Sequence, residues 1–301
     1  MNAEVNAVPE SPLAPAPVPE TRPMYWSIRR ELWENRSIYI APLVVAGVVL
    51  VGFLIATIGR AMAIIDPAQR AAVLVGRNSF ATGLMIAAAF VVGVFYCLDA
   101  LHGERRDRSI LFWKSLPVSD LTTVLSKVTI PLVVLPLIAF AIIVCVQLIM
   151  VLETAVVLIF HGMSPASTWA HVPVAFNLLV LLYGLAAIAL WHAPIYGWLL
   201  LVSGWARRAT FLWAVLPLLA IGIFERITFG TSYFGAFVKH RLMGFGPGAF
   251  DFQGRDHPTI DSLSQLTPGT YLSSPGLWIG LVFAVAFLAL TIRLRRYRGP
   301  I

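Results

Sequence analysis

Long apolar runs alternate with short polar stretches along the chain, at roughly 38–58, 81–98, 129–152, 174–203, 211–225 and 277–292. A helix needs about 20 apolar residues to cross a bilayer core, so each run is a candidate span. The fifth is short. The fourth is too long for one straight crossing, and Pro194 within "ALWHAPIYGW" offers a kink that neighbouring helices can accommodate. Residues 174–203 are too few for two crossings, so the pattern predicts an all-α integral membrane protein with six transmembrane helices.

Ahead of the first run, "MYWSIRRELWENR" places Tyr25, Ile28 and Leu32 at helical spacing, flanked by Trp26 and Trp33. Arg30, Glu31 and Glu34 fall on the other side, and Arg29 and Arg36 can snorkel to lipid phosphates, so an interfacial helix over 24–37 is expected. Residues 1–23, rich in Pro and Ala, read as a disordered tail without the basic and apolar regions of a signal peptide. Between the last two spans, 226–276 forms one large external element rich in Gly and Phe. Its first half suits short helices dipping into the leaflet, and its second half is irregular. No internal repeat or soluble domain stands out, so 24–301 reads as one six-span membrane domain.

Composition agrees: of 301 residues 58% are hydrophobic and 12% charged, with a mean hydropathy of +0.81. A soluble domain is about a quarter charged. The formal charge of +7 raises the question of nucleic acid, but the placement of the charges answers it with a membrane. Fifteen Lys and Arg lie in the segments that share a side with the N-terminus and seven in the others, mostly in the long 226–276 loop where the rule is weak. Both termini are therefore expected in the cytoplasm, with membrane lipids as partners and no nucleic acid.

Candidate chemistry is mostly absent. No Gly-Lys pair occurs among three lysines, so the phosphate-cradling loop of an ATPase is missing and the chain is not expected to be an enzyme. H-E-x-x-H is missing, and "GTSYFG" puts Phe234 where a nucleophile elbow needs glycine. The six histidines form no helical i, i+4 pair, so no metal site is expected. His192 alone sits well inside a span, as a candidate polar group on a substrate path. Asp99, Glu153 and Glu225 fall at span ends, which leaves ion coupling without buried carboxylates. Cys97 and Cys145, both in apolar runs, read as buried reduced thiols.

One stretch remains, "LDALHGERRDRSILFWKSLPVSDLTTVLSK", a cytoplasmic loop over 99–128. Glu104 and Arg108 stand i, i+4 in the favourable orientation for a helical pair. Ile110, Leu111, Phe112, Trp113 and Leu116 are too few to span and too apolar for water. Pro117 stops the helix, and Ser119 or Asp120 caps a new one whose Leu121, Val124, Leu125 and Val128 share a face. Helix, aromatic elbow, capped helix: the order suits a docking knob.

The same residues resemble the loop between the second and third spans of ABC type-2 exporter permeases. The likeness rests on Asp99, Glu104, Arg105, Asp107, Arg108, Ser109, Phe112, Trp113, Lys114, Ser115, Leu116, Pro117, Ser119, Ser126 and Lys127. The closing "LSSPGLWIGLVFAVAFLALTIRLRRYR" is similar to the last span of such permeases. The resemblance implies a permease subunit paired with a second permease, as a homodimer or heterodimer, and with separate P-loop ATPase subunits that bind ATP and Mg. It also implies an ATPase-docking surface made of Glu104, Arg105, Arg106, Asp107, Arg108, Ser109, Phe112, Trp113, Lys114, Leu116, Pro117 and Ser119. The rival reading is a non-transporting membrane scaffold or sensor that docks a cytoplasmic partner through 104–120. Apolar, aromatic-rich spans suit lipids, peptides and hydrophobic drugs equally.

Overall fold

The structure, a computed structural model, describes residues 22–59, 67–115, 118–166, 174–251, 260 and 262–299. The Pro/Ala-rich 1–21, and Leu116 and Pro117 of the elbow, lie outside the described residues.

Six helices are long and apolar enough to cross a membrane. The first is α2 (Ser37–Gly59), preceded by the short α1 (Pro23–Glu34). The second is α3 (Pro67–Asp99), a 33-residue helix that begins well before the apolar run from 81. After it come the short α4 (His102–Arg106) and α5 (Ile110–Ser115). The third span is built in three pieces: α6 (Asp120–Thr129), a π-helical turn over Ile130–Val134, and α7 (Leu135–Phe160). Pro131 lacks an N–H, and the wider turn absorbs the missing bond without ending the helix. The fourth is α8 (Val174–Trp205), which runs on through Pro194 as one helix. The fifth, α9 (Thr210–Phe229), has 20 residues and so is a full span rather than a short one; it takes in Arg226 to Phe229, the start of the expected external element. The sixth is α13 (Pro275–Tyr297).

Residues on α8 meet α13, α3 and α9, while α2 packs on α7 and α3. The α8–α13 contact is close because Gly197 carries no side chain: a Cβ there would stand 3.3 Å from the Ala284 carbonyl oxygen. The span α9 is the least buried of the six. A central core runs through Ile38, Phe53, Met85, Tyr96, Leu135, Ile143 and Leu200. Cys97 lies in it, fully buried, whereas Cys145 is exposed on the outer face of the bundle, so only one of the two thiols is in the core.

Between α9 and α13, α10 (Tyr233–Met243), α11 (Phe245–Ala249) and α12 (Pro268–Leu272) fold back over α8. Glu225 anchors the start of α10 by accepting from the Tyr233 and Phe234 backbone N–H groups. Trp191 Nε1 donates to the Arg241 carbonyl at 2.9 Å, Tyr271 to the Ala187 carbonyl at 2.7 Å and Tyr183 to the Ala249 carbonyl at 3.0 Å. The first half of 226–276 is helical, as its composition predicts. The second half is held by a 3-10 turn over Leu263–Gln265 and by α12, with an isolated bridge from Phe250 to Leu266; 252–259 lie outside the described residues.

Candidate functional site: an ion cluster beneath an aromatic elbow

At the end of the bundle that carries both chain ends, α1, α4, α6 and α13 bring together six charged side chains. Lys127, nearly inaccessible on α6, is the hub. Its Nζ stands 2.8 Å from Glu31 Oε1 and 3.1 Å from Glu104 Oε1. Arg30 reaches the same two oxygens at 2.7 and 3.1 Å. Arg295 bonds Glu104 Oε2 through Nη1 at 2.6 Å and Asp120 Oδ1 through Nε at 3.1 Å. Tyr96, at the end of α3, donates to Glu31 Oε2 at 2.8 Å. The half-exposed Glu34 stands at the rim, 3.6 Å from Arg30 Nε, and within the cluster three cations balance three carboxylates. Burying charge costs several kcal/mol per ion unless it is paired and hydrogen-bonded, and each of these is.

This corrects two expectations. Glu104 does not pair with Arg108: helix α4 ends at Arg106, Arg108 turns outward with φ +59°, and Glu104 points into the bundle. On α6 the buried face carries Thr123, Val124, Ser126, Lys127 and Val128, while Leu121 and Leu125 are exposed. The apolar repeat is therefore split: Val124 and Val128 lie inward beside Lys127, and Leu121 and Leu125 lie on the outer side. In α1, likewise, Glu31 is fully buried and Arg30 is turned towards the cluster, with Trp26 and Trp33 exposed. Arg30 and Glu31 on the polar face of α1 therefore meet protein, while Glu34 stays half-exposed.

The elbow rests on this cluster. The Arg30 guanidinium carbon lies 3.9 Å from the centre of the Trp113 ring, a cation–π contact. Phe112 stands edge-on to Trp113 at 4.9 Å between ring centres. Phe112 is 60% exposed and Leu111 59%, so the outer surface of the elbow is apolar while its inner surface is fixed. Behind it, Ser203 Oγ accepts from the Leu101 and His102 N–H groups, and Arg105 donates to the Gly204 and Ala206 carbonyls. Lys114 reaches the Arg298 carbonyl at 3.2 Å. Ser119 caps α6 by accepting from Thr122 N at 3.0 Å.

Of the residues singled out from sequence, then, Glu104 and Arg105 face inward and Trp113 sits between cluster and surface. Arg106, Asp107, Arg108, Phe112, Lys114 and Ser119 are exposed, and Ser109 is half-buried. His192 is elsewhere, mid-helix in α8, with ring nitrogens facing the Ile188 and Leu242 carbonyls at 2.9 and 3.1 Å; it ties α10 to α8. Glu31, Tyr96 and Arg295 carry no motif. The signal that could have found the cluster is Lys127 itself, a lysine on the third long helix that must have a counter-charge if buried.

Burial pushes the Glu31 carboxyl up, but Lys127 and then Arg30 outweigh it and hold it below the ordinary glutamate range. A carboxyl depressed in the folded state adds stability above its unfolded pKa, about 4.3, and loses it as pH falls through the folded value. Burial of the half-exposed Glu34 carboxyl has the opposite result, raising it. In a Glu34→Gln background, the denaturation midpoint is therefore expected to stay level from pH 7 to about 5 and fall below about 4. Adding Glu31→Gln should shrink that fall, with the remainder left to Glu104, which pairs with Lys127 and Arg295; an unchanged acid limb would remove Glu31 from it.

Compared with protein-family models, curated proteins and solved structures, the chain matches none of them. The fold and the hydropathy of its helices make it an all-helical multi-pass membrane protein with six apolar helices.

Proposed function

We propose that the chain is the membrane-spanning permease subunit of an ATP-driven exporter in a bacterial inner membrane, with both termini in the cytoplasm. It works with a second permease subunit and with a separate P-loop ATPase that binds ATP and Mg; the chain itself carries no catalytic group in this reading. One observation supports it above the rest: an apolar knob, Leu111 and Phe112, is exposed on a loop wired by a buried ion cluster to α1, α3, α6 and α13. The sequence of that loop is the part that resembles exporter permeases. A partner closing on ATP would push on Phe112, and the push would pass through Trp113 and Arg30 into helices whose charges separate only at a high cost. The bundle then shifts between two arrangements that the partner's nucleotide biases.

Affinity capture of the tagged full chain in mild detergent tests this. A P-loop ATPase is expected with wild type and at least about tenfold less of it with Phe112→Ala, since buried aromatic anchors are worth 2 kcal/mol or more at an interface. A cytoplasmic protein without a P-loop that disappears in the same variant would put the scaffold reading first. Equal ATPase capture by both forms would remove the elbow from the interface.

A further inference from the structure

Away from the ion cluster, α2 and α3 enclose a groove of about 540 Å³, within the range of small-molecule sites at about 300–1,000 Å³. Phe53, Phe80 and Leu84 line it, and Gly52 and Gly76 keep it open: a Cβ at either glycine would meet nothing within 4 Å. Its lining comes from these two helices alone, and Gly52, Gly76 and Phe80 are exposed, so it opens sideways to the surrounding lipid.

One charge lines it. Arg77 donates through Nη1 to the Ala56 carbonyl at 2.9 Å, and among the described residues no carboxylate lies within ion-pair distance of it. A guanidinium has five N–H donors, so most of its capacity is left for a ligand. Its depth is set by the helix. Arg77 lies 22 residues from Asp99, about 33 Å along α3, against a hydrocarbon core about 30 Å thick. Arg77 therefore sits at headgroup level in the leaflet opposite the cluster. From there the groove descends to Leu84 on α3 and Val48 on α2, about 10–12 Å, most of the depth of one leaflet.

We propose that this groove holds one hydrocarbon chain of an anionic phospholipid from the surrounding bilayer, with its phosphate on Arg77. A snorkelling arginine with no groove beneath it would take any headgroup; a groove without the arginine would take any chain. Their superposition selects an acidic amphiphile. The inference needs the membrane-spanning fold and is independent of the exporter assignment.

Native mass spectrometry of the purified full chain, exposed to equal amounts of phosphatidylglycerol and phosphatidylcholine with identical chains, tests it. Wild type is expected to keep one phosphatidylglycerol over phosphatidylcholine by about tenfold: both offer a phosphate, but the choline cation beside it repels the Arg77 guanidinium, whereas glycerol does not. Arg77→Gln should level that preference, and Arg77→Lys should restore part of it. Gly52→Leu with Gly76→Leu, changes a helix tolerates, should lose the bound lipid of either kind while melting as wild type does. No preference in wild type would overturn the proposal. So would unchanged retention in the glycine variant, or displacement by glycerol 3-phosphate as effective as by the whole lipid, since the groove would then play no part.

Discussion

Lys127→Met is expected to lower the unfolding free energy by about 3–5 kcal/mol, the usual result of removing one partner from a buried pair. Methionine can replace the aliphatic stem, so packing on α6 changes little and the loss reports charge. What remains is Glu31 and Glu104 facing one another at the place where Nζ stood 2.8 and 3.1 Å from them. Glu31→Gln added to Lys127→Met should recover a large part, because it removes the excess negative charge while Tyr96 still has an oxygen to bond. Chemical denaturation in detergent reads both. A single variant as stable as wild type would mean that water reaches the cluster and the charges are solvated.

Glu104→Ala is expected to be of the same size, about 3–5 kcal/mol, since it leaves Arg30, Lys127 and Arg295 with two carboxylates instead of three. Glu104→Gln, which keeps an acceptor oxygen, should lose less. Three residues along the same loop, Asp107 also makes an ion pair, with Arg106 at 3.1 Å, yet in open solvent. Asp107→Ala should leave the denaturation midpoint where it is. The contrast separates a charge that holds the fold from one available to a partner. Equal effects at the two positions would refute the distinction.

The spans were legible because hydropathy is a local property. Every apolar run coincides with a long helix, and the differences lie at the ends: α3 starts 14 residues before 81, as a helix can continue through polar residues once it leaves the lipid. The cap at Ser119 was legible for the same reason, being a bond between neighbours. The cluster was not. Glu31, Glu104, Lys127 and Arg295 are far apart in the chain, and which of many charged residues turn inward depends on packing no short window contains. Spacing even suggested the wrong partner for Glu104, since an i, i+4 pair exists only while the helix lasts, and it ends at Arg106. The apolar repeat on α6 misled in part: Val124 and Val128 are in the core with Lys127, but in a membrane protein an apolar side chain suits lipid as readily as core, and Leu121 and Leu125 face out.

The separation in sequence of the clustered charges also has a bearing on synthesis. Residues leave the ribosome in order, at about 5–20 per second. Glu31, Glu104 and Lys127 can meet once the third helix is inserted, but Arg295 belongs to the sixth helix and follows Lys127 by 168 residues. Until it arrives, Glu104 Oε2 has no cation, although Oε1 can already meet Lys127 and Arg30, and Ser203 with the Gly204 and Ala206 carbonyls can hold α4 once the fourth helix is in place. The last link of the cluster, and the tie from Lys114 to the Arg298 carbonyl, therefore form only when the sixth helix is in place. Order of synthesis is thereby also the order in which the cluster fills.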